Sequence, residues 1–412
     1  MNNIEEQLQK LVENNHEEID KWFAEQYKNT APFFYSSVDL RHSGFKIVPV
    51  DTNLFPAGFN LLSENALKNA ISGAKEYFKK QSPHSKKILI IPENHTRNLY
   101  YLENVAAIYD LLQNAGLEVQ IGGLMLENDE NILELESASG NKLTYKRIIS
   151  ENGNIATFDG FKPDSIIVNN DLTSGAPEIL KNIEQNIIPP VGMGWYQRRK
   201  TNHFDTYRDV ARSFAKKFNI DEWLITAEFH KCGTINFKER KGLECVARGV
   251  EKTLYKVRKK YEEYGITEEP YVFIKSDSGT YGMGIMTVSS AEEVMEINKK
   301  ERNKMSSIKE GSINSQVIIQ EGVPTIDKIN GKVAEPMIYM INGDPIGCTY
   351  RINESRDEKS NLNSKGMSFI NACEGDIEAS QAQSSMCPVQ KLVAKLASLA
   401  ATRECYEENW EI

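Results

Sequence analysis

The chain has 412 residues, 40% hydrophobic and 26% charged, with a formal net charge of −9 and a pI near 5.5. That length exceeds one ordinary core and suits two or three domains closing on a shared cleft, and the composition is that of a folded globular protein. The acidic balance excludes a surface built chiefly to neutralise phosphates, so nucleic acid is not the expected principal partner.

Residues 1–25 are acidic, with Leu8, Leu11, Ile19 and Trp22 as apolar points, and read as an amphipathic helix packed on the body rather than a signal peptide. No apolar run approaches the roughly 20 residues that span a bilayer, so no membrane partner is expected. The next clear element is the apolar run Lys87 to Pro92, a buried strand. Beyond the polar loop Glu93 to Asn98, the residues Leu99, Leu102, Val105, Ala106, Tyr109 and Leu112 fall at helical spacing up to Gly116. Strand resumes from Glu118 to Ile121, completing a βαβ unit.

A second unit is expected from Ser165–Val168 through Asn169-Asn170-Asp171 into a helix from about Ala176 to Glu184. The first half therefore reads as doubly wound α/β. Its polar turns, Glu93 to Asn98 and Asn169 to Ser174, leave the carboxyl ends of strands, where ligands of such sheets gather. Pro189-Pro190 followed by Gly192 and Gly194 marks a boundary near residue 190.

The expected division is 1–190, an α/β substrate-binding domain, and 191–412, with a more helical part over 191–268. The remainder, 269–412, carries nucleotide-binding strands and a C-terminal helix. Phe204–Phe218 and Arg248–Tyr264 read as helices, and Val389 to Arg403 as the packed C-terminal one. The six cysteines are scattered, without metal or redox spacing, and read as reduced thiols of a cytoplasmic protein. Composition leaves a homo-oligomer open.

The most informative segment runs from Tyr271 to Val288: a strand carrying Lys275, a loop with Gly279, Gly282 and Gly284, and a second strand. Glycines let backbone N–H groups approach a polyphosphate, and a lysine adds a point charge to it. The segment reads as a flap over phosphates, or more plainly as a glycine hairpin with an outward lysine. Gln316 to Gln320 then forms a strand entering the hinge Glu321-Gly322-Val323, and Asn342-Gly343 signals a hairpin between two further strands.

This order of segments resembles the ATP-grasp ligases, including glutathione synthetase-like members. Asp51 to Asn60, Pro92 to Asn98, Pro190 to Lys200 and Asn361 to Phe369 are similar to the proteobacterial glutamate–cysteine ligase family of ATP-grasp type. The resemblance implies α/β and α+β architecture, a doubly wound pre-ATP-grasp-like domain followed by an ATP-grasp domain of two α+β subdomains. It implies ATP and Mg2+ as cofactors and L-glutamate and L-cysteine as substrates. It further implies activation of the glutamate γ-carboxylate as an acyl phosphate and formation of γ-glutamylcysteine, the first step of glutathione synthesis.

By resemblance, Lys200, Lys275, Gly279, Gly282 and Gly284 serve the nucleotide phosphates, and Gln320, Glu321 and Val323 the adenine hinge. Lys275 and Arg351 are the catalytic candidates. Arg41, Arg97 and Arg351 are candidate forks for carboxylates, and Asp51, Asn53 and Asn98 candidates for orienting an ammonium. His95 reads as a loop hydrogen-bonder rather than a general base.

The acidic strand pair and Glu-x-Asn motif that relatives place after the Asn-Leu segment are missing, which leaves Glu335, Glu354, Asn361 and Asn363 as candidate magnesium ligands. Met337 stands where relatives carry an arginine. Two alternatives stay open: an ATP-grasp ligase with another amino-acid pair, and a nucleotide-binding protein without turnover.

Overall fold

A computed structural model describes residues 4–127, 129–279, 284–306, 315–371 and 386–407. Helices α1 (Ile4–Asn14) and α2 (His16–Gln26) precede strands β1 (Tyr35–His42) and β2 (Ile47–Asn53). Then follow α3 (Glu64–Lys80), β3 (Lys87–Pro92), α4 (Leu99–Asn114), β4 (Glu118–Gly123), β5 (Ile132–Glu136) and β6 (Lys142–Glu151). After β7 (Asn154–Thr157), β8 (Ser165–Asn169) and β9 (Asn186–Ile188) comes α5 (Lys200–Phe218), then β10 (Phe229–Gly233) and α6 (Leu243–Tyr264). Strands β11 (Val272–Ser276) and β12 (Ile285–Val288) lead to α7 (Ala291–Met295) and α8 (Lys299–Ser306). The chain continues through β13 (Gln316–Glu321), β14 (Lys328–Ile329), β15 (Lys332–Ile341), β16 (Asp344–Asn353), β17 (Met367–Asn371) and α9 (Pro388–Glu407).

Among the described residues these strands form three sheets. The first βαβ unit is present as expected, with β3 parallel to both β4 and β8 in a sheet ordered β5-β6-β4-β3-β8-β9. The second unit is not, because a 3-10 turn, Glu178–Leu180, stands where a helix was expected. Lys181 is extended and Asn182 takes a left-handed φ of 55°, so no second helical turn forms and the chain runs directly into β9. The amphipathic N-terminus is likewise two helices, divided at Asn15.

The glycine-loop hairpin is a sheet element, Val272 standing opposite Val288 and Lys275 opposite Ile285. It belongs to a four-stranded antiparallel sheet ordered β10-β13-β11-β12, whose apolar face packs on α6 through Val246, Val250, Ile274 and Ile319. The third sheet, β17-β16-β15-β1-β2, joins distant parts of the chain: Asp39 of β1 pairs with Met337 of β15. Residues 35–53 thus share a sheet with residues 332–371, across the boundary expected at 190.

The β15–β16 turn has φ of 55° at Asn342 and 77° at Gly343, the left-handed pair that a tight hairpin demands. Helix α3 lies on β16 where Gly347 has no side chain, since a Cβ there would come 2.4 Å from that of Ala66. Helix α9 is buried nearly all round, Val389, Leu392, Val393, Leu396 and Ala400 joining α1, α2, α5 and β1 in one core. No helix is long and apolar enough to cross a membrane among the described residues.

Candidate active site

In a strand, alternate residues face one side. Asp39 and Arg41 on β1, Asp51 and Asn53 on β2, Glu335 and Met337 on β15 and Arg351 on β16 line a cavity over one face of the third sheet. Its narrow arm, about 60 Å³, is closed from the other side by Phe273, Lys275, Ser276, Ser278 and Gly279 of the four-stranded sheet. The wide arm, about 680 Å³, reaches to the loops after β3 and β8 through Glu93, His95, Asn98, Asn169 and Asp171. Asp39, Asp51, Arg351 and Asn363 line both arms, so whatever occupies one meets the occupant of the other there.

Four cations and three carboxylates converge on the narrow arm. Lys200 Nζ lies 2.7 Å from Asp51 Oδ1 and 4.4 Å from the Trp195 ring centroid. Lys275 Nζ donates to Gln320 Oε1 at 2.8 Å. Arg351 bridges Asp39, at 2.9 Å, and Glu335, whose other oxygen takes Arg41 Nε at 2.7 Å.

Burial holds the Lys275 ammonium down at about 8, with Asp51 pulling the other way. Burial alone would raise Asp51 and Glu335, but Lys200 for the first and Arg41 and Arg351 for the second hold both below the usual range. Asp39 is raised, since burial there outweighs the attraction of Arg351. Four positive charges on a largely dry surface, balanced by only three negative ones, suit a polyphosphate or a carboxylate.

The lysine side of the narrow arm is anchored by a contact that the sequence does not announce. Asp277, fully buried just beyond Lys275, accepts from Thr201 N and Thr201 Oγ1 at 2.8 Å each, and its carbonyl accepts from Lys200 N at 2.7 Å. The carboxylate therefore caps α5 from another segment, and this fixes Lys200 relative to Lys275. Gly279, two residues on, has a φ of 89° and Gly284 a φ of 61°, conformations that glycine takes without strain. Gly282 lies outside the described residues.

At the far wall of the wide arm, Tyr101 OH donates to the Asn169 carbonyl at 2.7 Å, and Asn104 Nδ2 to Asn169 Oδ1 at 3.0 Å. Asn98 caps α4 by accepting from Tyr101 N at 3.1 Å. His95 Nε2 lies 2.5 Å from Glu93 Oε2.

Several sequence candidates are placed elsewhere. Arg97 is exposed and lines neither arm. The Glu321 carboxylate is not free to meet an adenine: it is fully buried against Lys46 Nζ at 2.9 Å and accepts from Glu228 N at 2.9 Å. Burial drives both members of that pair toward neutrality, Lys46 down to about 8 and Glu321 upward. Val323 is buried and lines neither arm.

The magnesium set does not form a cage. Glu354 pairs with Lys332 at the surface, Glu335 is occupied by two arginines, and the Asn361 side chain is folded onto Asn363 at 3.1 Å. No cluster of three acidic, histidine or cysteine residues could hold a metal among the described residues. Magnesium accompanying a nucleotide needs only one or two carboxylates besides phosphate and water, and Asp39 and Asp51, each paired with a single cation where Glu335 has two, are carboxylates that face both arms.

Asp39, Trp195 and Asp277 were missed by sequence reasoning. The available signal for Asp39 is its spacing of two from Arg41, which puts both on one face of a strand.

A family model described as glutamate-cysteine ligase matches residues 9–405. A crystal structure from Methylobacillus flagellatus KT, provisionally named a gamma-glutamylcysteine synthetase, is 42% identical with a TM-score of 0.87, over 98% of this chain and 96% of that one. D-alanyl-alanine synthetase A from Vibrio cholerae is 10% identical with a TM-score of 0.30, over 65% of this chain and 67% of that one, a likeness too slight to bear on the site. No curated protein matches the chain.

Proposed function

This chain belongs to the glutamate–cysteine ligase family, and from that membership we propose how its cavity joins the two amino acids at the expense of ATP. The carrying observation is that Asp39, Asp51, Arg351 and Asn363 line both arms, so the cluster of four cations and the larger chamber share one wall.

ATP enters from the side of the four-stranded sheet, its phosphates drawn to Lys200 and Lys275 and to backbone N–H groups near Gly279. Glutamate occupies the wide arm. Arg351 orients its γ-carboxylate toward the narrow arm, and Asp51, Asn53 and Asn98 are available to its ammonium. A carboxylate oxygen attacks the γ-phosphorus, the bond to the β,γ-bridging oxygen breaks, and ADP leaves with that electron pair. Lys275 and Lys200 stabilise charge that gathers on the transferring group, which is most of what phosphoryl transfer asks of a protein.

The cysteine amine, after losing a proton to solvent, attacks the acyl carbon. Phosphate departs with the oxygen that glutamate supplied, and a second proton is lost from nitrogen as the amide forms. Magnesium supplies further charge neutralisation when bound with the nucleotide, and Asp39 and Asp51 would hold it. No protein nucleophile is needed, which agrees with none of the described cysteines lining either arm.

The proposed division, 1–190 and 191–412, gives the wide arm mainly to the first part and the phosphates to the second, with residues 35–53 serving both. Free thiols in protein and substrate suit a reducing cytoplasm. The acyl phosphate is tested with glutamate labelled by 18O in its γ-carboxylate. One label atom should appear in each released phosphate, and unlabelled phosphate would overturn the intermediate.

A further inference from the structure

Behind β2, on the side away from the cavity, lies a buried polar cluster that the reaction above does not use. It joins four segments: Thr52 in β2, Arg198 before α5, His203 in the first turn of α5, and Glu404 near the end of α9, each at most 2% exposed. Arg198 donates from Nε and Nη2 to the Glu404 carboxylate at 3.1 and 3.0 Å, and from Nη1 to the Thr52 carbonyl at 2.6 Å. His203 lies with Nδ1 3.1 Å from Glu404 Oε2 and Nε2 2.9 Å from Thr52 Oγ1. Arg198 and Glu404 are 206 residues apart in sequence.

The cluster is a costly way to fill space. A buried ion pair stabilises a fold little better than apolar side chains of the same volume, because both charges must be stripped of water. Its location explains it better. Among the described residues strand β2 stands at the edge of its sheet, with no neighbouring strand to fix its outer side. The Thr52 carbonyl, on that strand, is held instead by Arg198.

Thr52 also lies between Asp51 and Asn53, which face the cavity, and Lys200 lies between Arg198 and His203. The same two segments therefore meet twice: in front through Lys200 and Asp51, at 2.7 Å, and behind through Arg198, His203 and Thr52, with Glu404 engaging both residues of the second segment.

We propose that Glu404 is a positioning residue for the nucleotide, fixing Lys200 against Asp51 through Arg198, His203 and Thr52. The C-terminal helix is on this account part of the phosphate site although it does not line the cavity. The inference rests on the role given above to Lys200.

The test is a double-mutant cycle of Glu404→Gln with Lys200→Met in the full chain, read on affinity for a non-hydrolysable ATP analogue and on urea stability. Glu404→Gln should weaken analogue binding about tenfold in the wild-type background and less than about twofold beside Lys200→Met, while the two stability losses add. Losses of affinity that multiply in full, or an unchanged affinity in Glu404→Gln, would overturn the proposal. Should Glu404→Gln not fold, Thr52→Val, which deletes only the hydroxyl contact, enters the same cycle under the same criteria. Analogue affinity does not depend on which amino acids are joined, so a wild type that makes no γ-glutamylcysteine would overturn the substrate reading separately.

Discussion

Asp277 caps helix α5 from outside it, its carboxylate accepting both the backbone N–H and the hydroxyl of Thr201 at 2.8 Å. The residue two places beyond Lys275 thus sets where Lys200 begins its helix, and the two lysines are held as one unit. Asp277→Ala removes a buried cap, so stability should fall by about 0.5–2 kcal/mol in urea titration. The Michaelis constant for ATP should rise as well, whereas a cap of purely local importance would leave it unchanged.

Lys275→Ala should lower kcat/KM for ATP by about 10²–10³-fold, the usual cost of deleting one donor aimed at developing charge. Urea stability should change little by comparison, since the side chain holds no apolar core together. Loss of folding in this variant would contradict the role.

The Lys275 ammonium, held at about 8 by burial, gives a pH signature. In the free enzyme its positive charge is present below that pH and lost above it, so kcat/KM for ATP should decline as pH rises through about 8. Lys275→Arg should move the decline to higher pH. The sign for folding is opposite: the unfolded lysine, with its higher ordinary value, binds more protons between the two values, so this group's contribution to stability rises with pH there.

His42 supplies a different window. Burial lowers it, but Asp327, 3.2 Å from Nδ1, and Glu5, 3.1 Å from Nε2, overcome that and raise it to about 9. Its contribution is fully present below the unfolded value near 6.5 and is lost as pH rises through about 9. The stability difference between wild type and His42→Gln should therefore shrink between pH 6.5 and 9.5. A difference constant over that range would contradict the charged pairing of α1 with the body.

Arg351 spans Asp39 and Glu335 and faces both arms. Arg351→Lys keeps the charge but loses the fork. Steady-state kinetics should show kcat/KM for glutamate falling roughly 10- to 100-fold, corresponding to roughly 1.5–3 kcal/mol for a charge-assisted hydrogen bond. The Michaelis constant for cysteine should change less.

What was legible in the sequence was local. The hairpin of Lys275, the turn at Asn342-Gly343 and the unit Lys87 to Ile121 are each written within a few turns of chain, where periodicity and glycine placement suffice. The pairing of Asp39 with Met337 is not, because nothing in either strand names its partner. That pairing assembles Arg41, Glu335 and Arg351 on one face. Glu321 is picked out by resemblance to an adenine hinge and Glu354 by region and residue type, and only packing reveals that Lys46 and Lys332 already hold them. Asp277 carried no signal beyond following Lys275 by two.

The central claim is that one cavity couples ATP cleavage to joining two amino acids. The most direct measurement is phosphate release from ATP and magnesium with glutamate and cysteine each present or omitted, followed by mass analysis of the product. The account predicts sustained release only with both amino acids and a product of the mass of γ-glutamylcysteine. Sustained release without cysteine, or a product of another mass, would contradict it.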